Sequence, residues 1–235
     1  MKPAFLLVLA FACIAHAQTN PTTQPSTPAP AAPLPPGMTR IFDGKSLDGW
    51  TQFPADSWEV RDSILASRGV GRGVICTNQS YADRYRIVFD IRHVSGNKDH
   101  RACVLVFCSA PKEGEKPLDA LGGVQFQVPN GGSWDYRKGH NNGGKDEFTQ
   151  LPHDKFDPHQ WSRVELLVDA DKGLARMAVA QPVGSKAVEV LQFHVPEAGK
   201  KGPIAWQMHN AGLFDEYKDV SIETNPKVDD LITTK

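Results

Sequence analysis

The sequence lacks an excess of charge of either sign. Its 26 basic residues nearly balance 27 acidic residues, and the formal net charge at pH 7 is -1. No basic field is present that would collect nucleic acid, and no block of like charge forms a tail. The balance therefore argues against a protein that binds nucleic acid through its overall charge.

Cysteine is also scarce, with four residues in the chain. The three that follow the N-terminal segment, Cys76, Cys103 and Cys108, show no Cys-x-x-Cys or Cys/His metal spacing. Cys103 and Cys108 fall on one predicted strand, which places them on opposite faces and about 16 Å apart at the rise of a strand. That separation is too long for a disulfide between them. We expect all three to be small, buried strand residues.

Long apolar runs are absent except at the N-terminus, where AFLLVLAFACIA follows a basic residue. This run is too short to span a bilayer comfortably, and AHA followed by glutamine fits a cleavage site. Residues 1–17 are predicted to be a signal peptide, so we expect a periplasmic or secreted protein with no transmembrane segment in the mature chain. Cys13 leaves a lipoprotein as an alternative, although Phe11 fits that motif poorly.

The segment 18–37 has almost no charge and holds seven prolines. Such a composition cannot bury a core, and it predicts a disordered, semi-extended linker. A docking ligand for a partner is the alternative. We expect one domain over 38–225, a C-terminal tail over 226–235, and a monomer.

Helical periodicity is missing, and strand patterns recur at roughly ten-residue spacing. In YRIVFDIRHV, the apolar residues Tyr85, Ile87, Phe89 and Ile91 share one face, and Arg86, Asp90 and Arg92 lie on the other. The run RACVLVFCSA is nearly continuous in apolar residues, which predicts a strand buried on both faces. DADKG suits a hairpin turn. These patterns predict an all-β fold, an antiparallel sandwich or barrel.

One region, 129–160, interrupts this rhythm. It is rich in glycine and asparagine and contains Trp134, Tyr136, His140 and His153. Loops of this length are usually functional or disordered, and a disordered loop has no need of large aromatic residues. We interpret the region as an ordered loop that crosses one face of the sandwich.

Four stretches together resemble one family of exported bacterial domains. They are FDGKSLDGW at 42–50, WEVRDSILAS, the strand YRIVFDIR, and GPIAWQMHN with FDEYKDVSIE near the end. The chain resembles the 3-keto-disaccharide hydrolases, also described as 3-keto-glucoside 1,2-lyase/3-keto-2-hydroxy-glucal hydratases, over about 38–224. The resemblance implies a concanavalin A-like (glucanase-like) jelly roll with a concave sugar-binding face. In that fold, Phe42 and Trp50 would cap one end of the core.

The sequence departs from the family at one central strand. Many relatives carry Gly-x-Glu-x-Gln-x-x-Asp there, whereas this chain reads GVQFQVPN, with Gln125 in place of the glutamate and Asn130 in place of the aspartate. The Asn-Ser-Gly of many relatives is also replaced, by a stretch containing His100. The C-terminal histidine is kept as His209, and Glu216 matches the acidic residue that opens the last strand.

The resemblance implies cleavage of 3-keto-glycosides, a reaction that begins with removal of the proton at C2. Such a step needs a base with a pKa near neutrality. Imidazole meets that need, so His209 is the first candidate base and His140 the second. The implied partner is a carbohydrate.

Strand parity predicts the substrate-binding residues. Gln125 and Gln127 share one face of their strand, and Gln207 and His209 share one face of another, so we expect a concave polar surface. Amides suit sugar hydroxyls because they both donate and accept hydrogen bonds; we include Asn210 for the same reason. Trp134 either stacks on a sugar ring or plugs the loop, and Gln207 and His209 can also be read as solvent-facing strand residues.

The sequence leaves open whether the reaction uses a divalent metal ion, because enolate chemistry often does. The residues that could serve as metal ligands lack the spacing of known metal motifs. They are Asp99, His100, His140, His153 and His159. Two other functions remain as alternatives. One is a non-catalytic carbohydrate-binding module on the same scaffold, and the other is a partner-binding sandwich on a proline-rich stalk.

Overall fold

The computed structural model describes residues 33–96, 102–112, 121, 123–128, 134–137, 149–150, 156–194 and 201–235. Within these residues the chain forms fifteen strands and one short 3-10 helix, at Ile232–Thr234. The strands are β1 Thr39–Arg40, β2 Trp50–Phe53, β3 Trp58–Arg61, β4 Ile64–Ser67, β5 Gly73–Thr77, β6 Arg84–Ser95, β7 Cys103–Val106, β8 Gly123–Gln127, β9 Trp134–Arg137, β10 Thr149–Gln150, β11 Ser162–Asp169, β12 Leu174–Ala180, β13 Val188–His194, β14 Ala205–Met208 and β15 Phe214–Thr224.

The strands form two antiparallel sheets. The nine-stranded sheet has the order β10-β13-β12-β11-β6-β15-β4-β3, with β1 paired to β15. The six-stranded sheet has the order β2-β5-β14-β7-β8-β9. The predicted all-β antiparallel sandwich is therefore confirmed. No helix in the described part of the chain is long and apolar enough to cross a membrane.

The core lies between the two sheets, as the alternation along β6 predicts. Tyr85, Ile87, Phe89 and Ile91 are all buried in the main apolar cluster. Trp206 of β14 meets this row from the other sheet, with its ring centroid 5.6 Å from that of Phe89 in an edge-on arrangement. β7 is buried along its whole length, as its continuous apolar run predicts.

The stretch FDGKSLDGW joins the two sheets at one end of this core. Phe42 and Trp50 are both buried. The indole N–H of Trp50 donates to the carbonyl of Ile41 at 2.9 Å, and its ring lies 4.9 Å from that of Trp206. Two glycines at positive φ, Gly44 and Gly49, make the turns between these anchors. The stretch is a structural part of the fold, and Trp50 opens the edge strand β2.

The three described cysteines are free, buried thiols. The expectation that Cys103 and Cys108 lie on opposite faces is wrong, because both belong to one cluster on the outer face of the six-stranded sheet. β7 ends at Val106, and Phe107 adopts a left-handed φ of 54°, so the simple alternation stops before Cys108. Burial raises the pKa of Cys76 to about 11 and raises that of Cys108 further, which makes both thiols poor nucleophiles.

The two segments that flank the expected domain both lie on the outer face of the nine-stranded sheet. Residues 33–35, inside the predicted linker, line a small cavity beside Val88 and Ser221 on the outer face of the nine-stranded sheet. The predicted tail also packs on this face, because Leu231 is buried and the carboxylate of Glu165 accepts hydrogen bonds from the backbone of Ile232 and Thr233. Both segments therefore cover the sheet.

Candidate functional site

Two strands of the six-stranded sheet carry the three predicted glutamines. In β14, Gln207 pairs directly with Cys103 of β7, and Cys103 pairs in turn with Gln127 of β8. Gln125 pairs with Leu105 on the same face. Trp206 and Met208 point to the core on the opposite face. Gln125, Gln127 and Gln207 therefore share the outer face of the six-stranded sheet, as strand parity predicts.

This outer face is less polar than expected. Its middle consists of Val74, Cys76, Leu105 and Ala205, all of them buried. Gln207 is completely buried and Gln125 is only 6% exposed. The expectation of an open polar surface is therefore wrong for the centre of the face. The sequence pattern gives the parity of the side chains but carries no information on what covers them.

Gln125 makes an unusual contact for a sugar-binding candidate. Its amide nitrogen donates to the Sγ of Cys103 at 3.1 Å, and its buried amide oxygen has no hydrogen-bond partner among the described residues. An unpaired buried acceptor costs free energy, about 1–3 kcal/mol in typical cases. The amide at position 125 is therefore a polar group held in apolar surroundings.

The accessible part of the predicted site lies at one rim of the sandwich. His209 and Asn210 follow β14 directly, and both are partly exposed. Gln127 ends β8 and is also partly exposed. Since Gln127 and Gln207 lie in the same row across β8, β7 and β14, the two strand ends open on the same rim. The structure thus places Gln127, Gln207, His209 and Asn210 at the same rim, with β7 between the two glutamines.

A buried hydrogen-bond network holds the connection that carries His209. The segment 209–213 leads from β14 in one sheet to β15 in the other. The hydroxyl of Ser67 donates to the carbonyl of Leu213 at 3.1 Å and accepts from the backbone N–H of Asp215 at 2.7 Å. The carboxylate of Asp215 lies 2.8 Å from the Nδ1 of His93, and both side chains are almost completely buried. The network anchors the far end of this segment, where β15 begins.

Sequence reasoning missed the pair formed by His93 and Asp215. They are directly opposite each other in β6 and β15, two residues beyond the core pair Ile91 and Tyr217. The signal was present as polar residues at core-facing parity in DIRHV and FDEY, but the pairing of β6 with β15 is non-local. A sequence pattern alone does not reveal such a partner.

Of the two remaining candidates, Trp134 and His140, the structure describes the backbone of Trp134 alone. Trp134 starts β9 and pairs in register with Phe126, a core residue, whereas the next position, Asp135, pairs with Gln125. In register, Trp134 is therefore opposite a core residue and not opposite a glutamine. His140 lies outside the described residues, so its part in the site stays a prediction.

The described residues do not form an obvious metal centre. They contain no group of three or more histidine, cysteine, aspartate or glutamate side chains that could hold an ion. Position 125 carries a neutral amide, which is a poorer ligand for a divalent cation than a carboxylate. Of the histidines considered as ligands, His159 is described, and its Nδ1 lies 3.0 Å from the backbone carbonyl of His93.

The arrangement at the rim offers a histidine beside amide groups. A neutral imidazole takes up a proton near pH 7. Amides donate and accept hydrogen bonds, as sugar hydroxyls require. The described rim residues include no pair of carboxylates of the kind used by ordinary glycosidases. The rim therefore holds a side chain of a type that can accept a proton, together with neutral hydrogen-bonding amides.

Solved structures with the same fold include carbohydrate-related proteins. A candidate glycosyl hydrolase from Parabacteroides distasonis is 16% identical, with a TM-score of 0.53, over 80% of this chain and 98% of that one. The carbohydrate-binding module CBM66 from Bacillus subtilis is 13% identical, with a TM-score of 0.53, over 75% and 96%. The exoplasmic/lumenal domain of VIP36, solved with Ca²⁺ and Man3GlcNAc bound, is 9% identical, with a TM-score of 0.55, over 83% and 91%. At these identities the likeness shows the fold alone.

The family of the chain is shown by a different comparison. No curated protein matches the sequence. The model of the 3-keto-alpha-glucoside-1,2-lyase-like domain, in contrast, matches residues 37–223, from just before β1 almost to the end of β15. That range includes both sheets, the three glutamines Gln125, Gln127 and Gln207, and His209. The chain therefore belongs to the family of 3-keto-alpha-glucoside-1,2-lyase-like domains.

Proposed function

We propose that this protein cleaves 3-keto-glycosides by removing the proton at C2 and eliminating the group at C1. The observation that carries the proposal is the family match over both sheets, together with His209 at the accessible rim beside Gln127 and Asn210. The C3 ketone makes the C2 proton acidic, so a single base of near-neutral pKa is sufficient to begin the reaction.

The proposed steps keep protons and electrons balanced. His209 takes the C2 proton, and the electron pair of the C–H bond passes to the C3 oxygen as an enolate. The enolate then collapses, the C1–O bond breaks, and a C1–C2 double bond forms as the aglycone leaves and takes the proton held by His209. Water adds across this double bond, with hydroxide to C1 and a proton to C2. Asn210 and Gln127 are proposed to bind the sugar hydroxyls, with Gln207 and Gln125 buried beneath them.

The cellular site of this reaction is part of the proposal. The N-terminal sequence supports export, through a short apolar run followed by a small-residue cleavage site. We infer that the enzyme acts on its sugar outside the cytoplasm. Detection of the mature chain, starting at Gln18, in the periplasm or the medium would test this.

A non-catalytic carbohydrate-binding module is the second candidate. Two observations favour it: position 125 carries glutamine where many relatives carry glutamate, and one structure of the same fold is the module CBM66. A module needs hydrogen-bonding groups but no base.

Incubation of the purified protein with a 3-keto-glucoside and with 3-keto-trehalose separates these functions. Release of the aglycone or free sugar supports the enzyme, whereas binding without release supports the module. The absence of both would exclude both proposals and favour a sandwich that binds a protein partner. A parallel incubation with EDTA tests whether a divalent ion takes part, and an unmodified glucoside serves as the control that lacks the C3 ketone.

A further inference from the structure

A cluster of charged side chains around one tryptophan lies on the outer face of the nine-stranded sheet. Trp161 directly precedes β11, and because Ser162 pairs with Ile91, Trp161 is adjacent to Arg92. The guanidinium carbon of Arg92 lies 4.9 Å from the ring centroid of Trp161, and the Nζ of Lys218 lies 4.3 Å from it. Both distances are typical of cation–π contacts. The indole is partly exposed.

An ion-pair network extends from this ring across the sheet. The carboxylate of Glu216, itself only 6% exposed, accepts hydrogen bonds from Arg92 on one side and from Arg61 on the other. Arg61 also forms an ion pair with Glu59. The Nε of Arg68 lies 3.7 Å from the carboxylate of Glu59 as well. We refer to these residues together as the Trp161 patch: Trp161, Arg92, Lys218, Glu216, Arg61, Glu59 and Arg68.

The Trp161 patch carries an excess of positive charge on a protein that is nearly neutral. It has four cationic side chains and two carboxylates, and the more buried carboxylate is already paired twice. The adjacent carboxylates of Asp90 and Asp219 bind Arg163 and Arg40, so they do not offset this excess. The side chains of Arg61 and Arg68 are about half exposed, at 51% and 47%, so their charges face solvent.

We propose that the Trp161 patch binds an acidic polysaccharide, specifically a polyuronate chain. A polyuronate presents a carboxylate on each pyranose ring together with apolar C–H faces. Arginine side chains suit the carboxylates, because a guanidinium can bind one in a bidentate manner. The indole supplies the apolar contact. A neutral glycan would leave the cations unused, and double-stranded nucleic acid would require a longer basic surface than this patch provides.

The site lies on the other sheet from the glutamines, so it is separate from the proposed cleavage site. It would hold the protein on an acidic polymer while the rim with His209 acts on its own sugar. The proposal therefore predicts that binding to the polymer and cleavage of a soluble 3-keto-glycoside respond to different substitutions.

Affinity electrophoresis of the full chain through gels containing polygalacturonate tests the proposal, with dextran as the neutral polymer. We expect retardation by polygalacturonate alone, weakening as salt is raised. Trp161→Ala and Lys218→Gln should each weaken binding of the polymer at least about fivefold, which corresponds to about 1 kcal/mol. Lys186→Gln and Lys45→Gln, at exposed lysines outside the patch, should bind like the wild type.

Lys218→Gln removes no buried ion pair, so it tests the patch even if Trp161→Ala unfolds. Cleavage of a soluble 3-keto-glycoside should be unchanged in Lys218→Gln, which separates this proposal from the proposed function. The proposal is overturned if the wild type is not retarded, if dextran retards it equally, or if Lys218→Gln binds as the wild type does. It is also overturned if anionic vesicles are bound but polygalacturonate is not.

Discussion

At the scale of single residues, the outer face of the six-stranded sheet shows that strand alternation predicts the direction of a side chain but not its burial. The alternation of GVQFQ and AWQM correctly predicts that Gln125, Gln127 and Gln207 share a face. It does not predict that two of them are buried, since burial depends on what packs over the sheet. It also mispredicts Cys108, because a single left-handed residue, Phe107, interrupts the alternation.

The substitution Gln125→Glu tests the character of this face. A carboxylate there would be buried in apolar surroundings, so we expect the free energy of unfolding at pH 7 to fall by about 2–3 kcal/mol. Burial should raise the pKa of the new carboxyl group in the folded state. Stability would then be recovered below its ordinary pKa and lost as pH rises through the raised value. Urea denaturation at several pH values measures this.

Gln127→Glu is the matched control, on the same face of the same strand but partly exposed. We expect it to cost less than about 1 kcal/mol, as is usual for surface positions. Equal losses for the two variants would mean that position 125 is not the apolar environment described above. A gain of cleavage activity in Gln125→Glu would instead show that the glutamate of many relatives has a direct role in the reaction.

At the scale of elements, local patterns predicted β6, β7 and the β11–β12 hairpin. The order of strands in the two sheets could not be predicted from local patterns, because pairs such as β6 with β15 join residues far apart in the chain. The docking of the C-terminal segment was missed for the same reason. Its contacts are with Glu165, Arg176 and Arg84, each on a different strand.

The opening turn and edge strand should be a stability element with no part in catalysis. Trp50→Ala removes the ring that packs on Trp206 and the hydrogen bond to Ile41, and we expect a loss of about 3–5 kcal/mol in the free energy of unfolding. Trp50→Phe keeps an aromatic ring and should cost less. Chemical denaturation measures both variants. If Trp50→Ala is as stable as the wild type, the described anchoring of β2 is wrong.

The C-terminal segment should stabilise the nine-stranded sheet through Glu165. This carboxylate is completely buried and binds Arg86, the backbone of Ile232, and Thr233. We expect Glu165→Gln to lower the free energy of unfolding by at least about 2 kcal/mol, because it removes one of the two carboxylates, Glu165 and Glu223, that pair with the buried guanidinium of Arg86. Glu189→Gln breaks a partly exposed pair with Arg176 and should cost about 1 kcal/mol or less. Similar losses would contradict this assignment.

At the scale of the whole molecule, carboxylates on the outer face of the nine-stranded sheet should govern acid stability. Burial acts to raise the pKa of Glu216, but hydrogen bonds from Arg92 and Arg61 outweigh it and lower the pKa. The pKa of Asp229 is lowered by Lys172 and Arg84. A lowered pKa in the folded state gives stability that is present above the ordinary pKa and lost as pH falls through the lowered value.

We therefore expect the melting temperature to fall steeply below about pH 4, where these carboxylates become protonated. Asp90 opposes the trend, because burial raises its pKa despite the hydrogen bond from Arg163. The variant Glu216→Gln should be less stable at pH 7 and should lose less on acidification. A melting temperature that is constant from pH 7 to pH 3 would contradict the role of these ion pairs.

The central claim is that His209 removes the proton at C2 of a 3-keto-glycoside. A substrate labelled with deuterium at C2 tests it most directly, with NMR used to follow both the label and cleavage. Elimination predicts that the deuterium passes to water and that the released 3-keto sugar carries hydrogen at C2. His209→Ala should slow this at least about 100-fold, the loss expected for a general base, with an unchanged melting temperature. Cleavage that retains deuterium at C2, or wild-type release of the label by the variant, would contradict the account.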